Sequence, residues 1–226
     1  MKLDEIIETY HRDGVCLIPG AYKPEDINAM RALAWRAYRS AGTDQIQWRG
    51  VYPALLFWPV GLDAYTRMKP LTTIAHAILG PKITQLNKQI YFRLPGDGDQ
   101  FAWHQDISFR QPEENYVGIE DGYLQTAIII DDMDAENGAI EYVKGSHKKG
   151  NLNLIPRDGT ERGLRSYDRD SFVGEPVTAK SGDLLIWSVM IVHGSQPNRS
   201  TRSRMYYMNG LARSECVLTN EFPRWD

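Results

Sequence analysis

"ITQLNKQIYFRLPGDGDQFAWHQD", residues 83–106, carries the change from helix to strand in this chain. Residues 83–94 mix β-branched and aromatic side chains with polar ones, a strand pattern that PGDGDQ at 95–100 breaks. FAWHQD then opens a second strand. There His104 and Asp106 sit two positions apart, and an extended backbone sends both side chains to one face. Trp103 and Phe109 flank them. Polar groups buried among aromatics need a partner, which a backbone group, water or a metal ion can supply. A satisfied structural pair accounts for His-x-Asp as well as a metal does.

Upstream of this stretch the texture is helical. Residues 3–12 place apolar side chains at helical spacing, and Asp13-Gly14 ends them. VCLIPG reads as a short strand. KPEDINAMRALAWRAYRS has Pro24 in its first turn with acids behind it, a helix start, and a further helix covers 71–79 up to Gly80 and Pro81. Downstream lie strands: YLQTAIIID, then AIEYV after a hairpin-type turn at Glu136-Asn137-Gly138, then KSGDLLIWSVMIVHGS and RMYYMNGLA. Residues 144–171 are polar and charged, a loop long enough to act as a lid. Helices followed by many strands predict a mainly β fold, a sandwich or barrel with flanking helices packed outside it.

Composition narrows the function classes. The chain has 226 residues, 42% of them hydrophobic, enough for a sizeable core in a single domain over 1–226. A net charge of −3 gives no electrostatic footprint for nucleic acid. No apolar run approaches the roughly 20 residues of a membrane helix, and the opening MKLDEIIETYHRDG has no signal-peptide apolar block. Cys16 and Cys216 suggest buried thiols rather than a disulfide framework. The expectation is a soluble, cytoplasmic protein with a small-molecule partner, its oligomeric state open.

A second motif bears on the His-Asp pair. In LLIWSVMIVHGSQPNRSTRSR, residues 184–204, a hydrophobic strand ends in His193, with Trp187, Val189 and Ile191 on its face. His193 is either a core residue bonded to a carbonyl or a ligand. Two histidines and one carboxylate form the facial triad that holds non-haem Fe(II) and leaves positions open. Arg204 lies further on, at the start of the next strand. Its planar fork suits the distal carboxylate of an α-keto acid, although Arg199 and Arg202 beside it also fit a plain basic turn.

With these residues together the chain resembles the phytanoyl-CoA dioxygenase family of Fe(II)/2-oxoglutarate oxygenases. WHQD and HGSQPNRSTRSR carry the likeness. GVCLIPGAYKPEDINAMR, IIIDDMDAENGAIEYVKGSHKKG and SGDLLIW extend it across most of residues 13–212, in order. The resemblance implies a double-stranded β-helix core, a jelly roll of cupin-like form. It implies His104, Asp106 and His193 as iron ligands, Arg204 for 2-oxoglutarate with Ser195 helping, and Arg93 nearby on a face shared with Gln89 and Tyr91. Thr126 and Trp187 are further candidates for that pocket. Iron, 2-oxoglutarate and O2 would then oxidise an unactivated C–H bond of a small molecule, giving succinate and CO2. Hydroxylation is the first expectation, with desaturation and cyclisation as alternatives. Halogenases of this kind carry a small residue in place of the carboxylate, so Asp106 points away from halogenation. For substrate, Tyr52, Trp58, Arg110, Tyr91, Tyr142 and Arg165 occupy segments expected at the cavity mouth and would suit a polar or anionic molecule. A cupin-type metal enzyme without 2-oxoglutarate and a silent ligand-binding barrel are the rival readings. The remaining histidines, His11, His76 and His147, fit a metal site poorly.

Overall fold

The chain starts with helix α1 (Leu3–Asp13), whose first turn carries Asp4 and Glu5 and whose last carries His11 and Arg12, each matching the helix dipole. Gly14 ends it at φ 79, donating its N–H to the Tyr10 carbonyl at 2.8 Å. Strand β1 (Val15–Ile18) follows, then α2 (Pro24–Ser40), a hairpin of β2 (Ile46–Arg49) and β3 (Tyr52–Leu56), the short α3 (Asp63–Thr66), and α4 (Lys69–Leu79), closed by Gly80 at φ 86. The β2–β3 hairpin is an addition to the helical first third that the sequence suggests. The computed structural model describes residues 1–40, 46–49, 52–56, 61–96, 100–110, 113–152 and 171–225, with 46–49 and 52–56 as backbone only.

From residue 83 the chain winds between two antiparallel sheets. The strands are β4 (Ile83–Arg93), β5 (Phe101–His104), β6 (Tyr123–Ile129), β7 (Ile140–Tyr142), β8 (Glu175–Pro176), β9 (Leu184–Ser188), β10 (His193–Ser195), β11 (Arg204–Arg213) and β12 (Arg224–Trp225). Among the described residues the larger sheet runs β1–β9–β6–β11–β4–β3–β2, with β12 also on β4, and the smaller runs β5–β10–β7–β8. From β4 to β11 the chain passes back and forth between the two sheets, with β7 and β8 together in the smaller one, the winding of a double-stranded β-helix, or jelly roll. Interior side chains of both sheets meet: Tyr91, Ala127, Leu185, Trp187 and Met208 of the larger pack with Ile140 and Tyr142 of the smaller.

This winding corrects two expectations. The apolar run from Leu184 to His193 is not one strand. It is β9 in the larger sheet, a crossing at 189–192, and β10 in the smaller. The run stays apolar because the crossing is buried as well, and other groups take up its polar backbone atoms. The Val189 carbonyl accepts from the Ile107 N–H at 3.1 Å, and the Val192 N–H donates to Ser146 Oγ at 2.8 Å. Likewise the Glu136–Gly138 turn is no hairpin, since β6 and β7 belong to different sheets.

The outer face of the larger sheet packs under the helices. Leu124, Ile128, Leu184, Ile186, Met205, Tyr207 and Leu211 join Ile6, Ile27, Met30, Leu71 and Ile74 in one buried cluster. Each such side chain contributes roughly 2 kcal/mol by leaving water. The inner face is layered by strand register. Arg93 and Arg204 form one layer; Tyr91, Tyr206 and Ile129 the next; then Gln89, Met208, Ala127 and Leu185; and finally Asn87, Gly210, Gln125 and Trp187. The barrel interior thus changes character along its length, with arginines at one end and amides at the other.

Candidate metal centre

His104 is the last residue of β5 and His193 the first of β10, and the two are directly paired in register. Their rings lie 4.1 Å apart between centroids. Asp106 is not on the strand. It opens a 3-10 turn, Asp106–Phe109, after Gln105, whose backbone is still extended at φ −117 and ψ 137. Because Gln105 is extended, the two-residue alternation survives, and Asp106 comes back to the side of His104. Gln105 points the other way. Its amide donates to the carbonyls of Gly150 and Met190, and its Oε1 accepts from the Leu152 N–H, so the residue between His104 and Asp106 anchors the surrounding chain.

One donor atom from each of His104, Asp106 and His193 lies within 4.8 Å of the others, the one such cluster among the described residues. His104 Nε2 is 3.9 Å from Asp106 Oδ1, and His193 Nε2 is 3.7 Å from Asp106 Oδ2. Each imidazole is fixed from behind: Nδ1 of His104 faces the Ala102 carbonyl at 2.9 Å, and Nδ1 of His193 the Ile191 carbonyl at 3.1 Å. A carbonyl only accepts, so Nδ1 carries the proton and Nε2 turns its lone pair inward. Burial, aided by the neighbouring His193, pulls the His104 pKa down to about 3, which keeps that ring neutral at physiological pH. Trp187 Nε1 donates to Asp106 Oδ2 at 2.9 Å and orients the carboxylate. Tyr142 stacks on the His193 ring at 5.5 Å and 20°, and Phe109 meets the His104 ring edge-on. Two imidazoles and one carboxylate, buried and held in place together, are the donors that non-haem Fe(II) takes.

Arg204 lies in the same interior, at the start of β11 and wholly buried. Its Nη1 donates to the Gly138 carbonyl at 2.6 Å, while Nε and Nη2 find no partner among the described residues. Ser195, two residues after His193, is also buried, with its Oγ unpartnered. Arg93 is the register partner of Arg204 and donates to the Gln196 carbonyl at 2.6 Å. One register layer along from these arginines, Tyr91 stacks on Tyr206 at 5.1 Å and donates to Gln89 Oε1 at 2.5 Å. A buried guanidinium with two idle donors is costly without an anion, so this hollow has the chemistry of a carboxylate site.

Not every residue singled out from sequence is brought here. Thr126 faces the opposite way. Its strand neighbours Leu124 and Ile128 belong to the helix-covered cluster, and its Oγ1 bonds the Asn209 carbonyl at 3.2 Å. The two-residue period puts Gln125 and Ala127, not Thr126, on the inner face. Trp187 reaches Asp106 rather than the arginine end. Arg110 sits over the Tyr123 ring at 5.0 Å. Trp58 and Arg165 lie outside the described residues, as do 153–170 of the expected lid and the side chain of Tyr52. The first part of that loop is fixed, with the Gly145 N–H on the Asp13 carbonyl at 2.8 Å. His76 bonds the Gly80 carbonyl, and His147 bonds that of His11, both away from the triad. Sequence reasoning passed over Gln105, Asn87, Tyr123 and Gln125. Amides and a phenol on strands give no motif, and only the register collects them.

A jelly roll with two imidazoles and a carboxylate converging inside it is the architecture of non-haem iron oxygenases. The chain itself belongs to the phytanoyl-CoA dioxygenase family of Fe(II)/2-oxoglutarate oxygenases: the model of Phytanoyl-CoA dioxygenase (PhyH) matches residues 10–206. It is 28% identical over 165 residues to a probable alpha-ketoglutarate-dependent hypophosphite dioxygenase of Stutzerimonas stutzeri, covering 68% of this chain and 54% of that protein. It is 22% identical over 222 residues to an ectoine dioxygenase of Bordetella parapertussis, covering 86% and 70%. The chain thus spans about half the length of the first relative. Among solved structures, the epimerase SnoN from nogalamycin biosynthesis, in complex with Fe3+, alpha ketoglutarate and nogalamycin RO, superimposes with TM-score 0.74. That match has 18% identity over 94% of this chain and 84% of that one, a likeness of fold. No helix among the described residues is long and apolar enough to cross a membrane.

Proposed function

We propose that this protein is an Fe(II)- and 2-oxoglutarate-dependent dioxygenase that hydroxylates a C–H bond of a small polar molecule, with release of succinate and CO2. The observation that carries this is Arg204: wholly buried, with Nε and Nη2 unpartnered, inside the barrel that also holds the triad. In this reading His104, Asp106 and His193 hold the iron. Arg204 takes the distal carboxylate of 2-oxoglutarate, Ser195 Oγ adds a donor beside it, and Arg93 supplies a second positive charge. Gln89 and Tyr91 line the wall between the arginines and the metal. When bound, iron with 2-oxoglutarate supplies the O2-dependent oxidation chemistry.

The chain's own part is orientation and exclusion of water. Trp187 keeps Asp106 aimed at the two histidines, and the backbone carbonyls of Ala102 and Ile191 hold both rings in the ligand tautomer. Tyr142, Trp187 and Trp103 are almost fully buried and keep the centre dry. Small polar substrates are in keeping with relatives named for hypophosphite and ectoine.

Arg204→Ala tests the assignment. Removing a charged partner from a buried carboxylate should weaken 2-oxoglutarate binding by about 100-fold while Fe(II) binding persists. Anaerobic titration of the Fe(II) protein with 2-oxoglutarate, followed by its weak visible charge-transfer band, reads both. Unchanged 2-oxoglutarate affinity in the variant would sink the cosubstrate assignment and leave a metal enzyme of another kind.

A further inference from the structure

One layer of the barrel interior enters this chemistry only at its Trp187 end. Asn87, Gly210, Gln125 and Trp187 are register partners across β4, β11, β6 and β9, so they form one rung on the inner face. Trp187 ends the rung at the metal ligand Asp106. The Tyr123 hydroxyl lies over its middle. It donates to Gln125 Oε1 at 2.5 Å and accepts from Asn87 Nδ2 at 3.5 Å. Burial holds that phenol far above its usual pKa, with Asp106 and Arg110 both within electrostatic reach, so it stays protonated and can do both.

Gly210 exists for this arrangement. It carries no left-handed φ, and any residue could take its place in the strand. A Cβ there would stand 1.9 Å from the Tyr123 hydroxyl oxygen and 2.8 Å from Asn87 Oδ1, so only a missing side chain leaves room for the phenol.

The relay has a direction. With Asn87 donating to Tyr123 and Tyr123 to Gln125, the atoms left over are an acceptor, Asn87 Oδ1, and a donor, Gln125 Nε2. Both are buried without a partner, and Gln125 is 0% exposed. Arg110, over the Tyr123 ring, adds a second donor in its buried, unpartnered Nε. Idle buried donors and acceptors are destabilising, and a ligand that satisfies them recovers that loss. We infer that this rung is the substrate-recognition surface and that it selects a small zwitterion of the amino-acid type, whose carboxylate is met by Gln125 Nε2 and Arg110 and whose ammonium or imino N–H donates to Asn87 Oδ1.

The inference rests on the oxygenase reading, and its test separates the two. The protein loaded with Fe(II) and 2-oxoglutarate is titrated without oxygen, by calorimetry. The probes are the proteinogenic amino acids, L-pipecolate, and matched compounds lacking either the amine or the carboxylate. At least one zwitterion should bind, with its single-function counterparts at least about 10-fold weaker, because each leaves a buried group unpaired. Gln125→Glu, equal in volume but with the donor replaced by a negative charge, should weaken that zwitterion by about 30-fold or more. Asn87→Leu should erase the preference for the amine. In both variants Fe(II) and 2-oxoglutarate should bind as in the parent, which also certifies the fold; if the glutamate variant fails that check, Gln125→Met replaces it. Binding of no zwitterion, or unchanged discrimination in the folded variants, overturns the inference. Failure of the parent to take up Fe(II) or 2-oxoglutarate overturns the oxygenase reading instead.

Discussion

The two faces of β11 differ in kind although they share one backbone. Outward go Met205, Tyr207 and Leu211, buried with helix residues in the largest apolar cluster. Inward go Arg204, Tyr206, Met208 and Gly210, facing a hollow in which several polar atoms have no partner. The outer face is mostly apolar and closely packed under the helices, with Tyr207 Oη and Asn209 Nδ2 its buried polar atoms left without a partner among the described residues. The inner face is incomplete in places that match a metal, a dicarboxylate and a substrate. A strand can therefore be held by one face and work with the other, and mutations on the two should separate stability from chemistry.

The largest effect is expected at the triad. His193→Gln keeps side-chain bulk but removes an imidazole from a three-donor site. Fe(II) binding at micromolar metal should be lost and turnover should fall by about 1,000-fold or more. The melting temperature should move little, because the helix-covered cluster is untouched. A large drop in melting temperature with iron binding intact would reverse the roles assigned to the two faces.

A smaller effect is expected one bond further out. Trp187→Phe preserves ring burial beside Tyr142 and deletes only the N–H that reaches Asp106 Oδ2. Groups that orient a metal ligand are typically worth about 10-fold in metal affinity, so the Fe(II) dissociation constant should rise by about that much. 2-Oxoglutarate affinity, measured at saturating metal, should stay put. If the iron dissociation constant is unchanged, the indole is only filling space.

How much of this was legible in the sequence follows from burial. Helix ends were legible, because Gly14 and Gly80 take positive φ and Pro24 opens a helix, and such signals are local. The His104–Asp106 pairing was legible too, although for a slightly wrong reason: β5 stops at His104, and the extended Gln105 preserves the alternation. The break between β9 and β10 was not. Residues 184–195 are buried throughout, so no polar position marks where the chain leaves one sheet for the other. The same erasure hid the faces of β6, whose residues 123–129 are all buried. A strand covered on both sides loses its period-two signature, and sequence alone could not tell Thr126 from Gln125.

Thr126→Val is the smallest and most pointed test of that distinction. On the outer face, Thr126 makes one hydrogen bond, to the Asn209 carbonyl at 3.2 Å, and no group of the triad or of the arginine end faces it. Valine has nearly the same shape, so the change removes one modest hydrogen bond without opening a cavity, a cost of about 1 kcal/mol. Chemical denaturation should register that loss while iron and 2-oxoglutarate affinities stay equal to the parent's. Gln125→Met on the adjacent, inward position should instead alter what the barrel accepts, with a loss of stability of its own because the Tyr123 hydroxyl loses its acceptor. Were Thr126→Val to weaken 2-oxoglutarate, the inside and outside of β6 would have to be exchanged, and with them the layered interior built on its register.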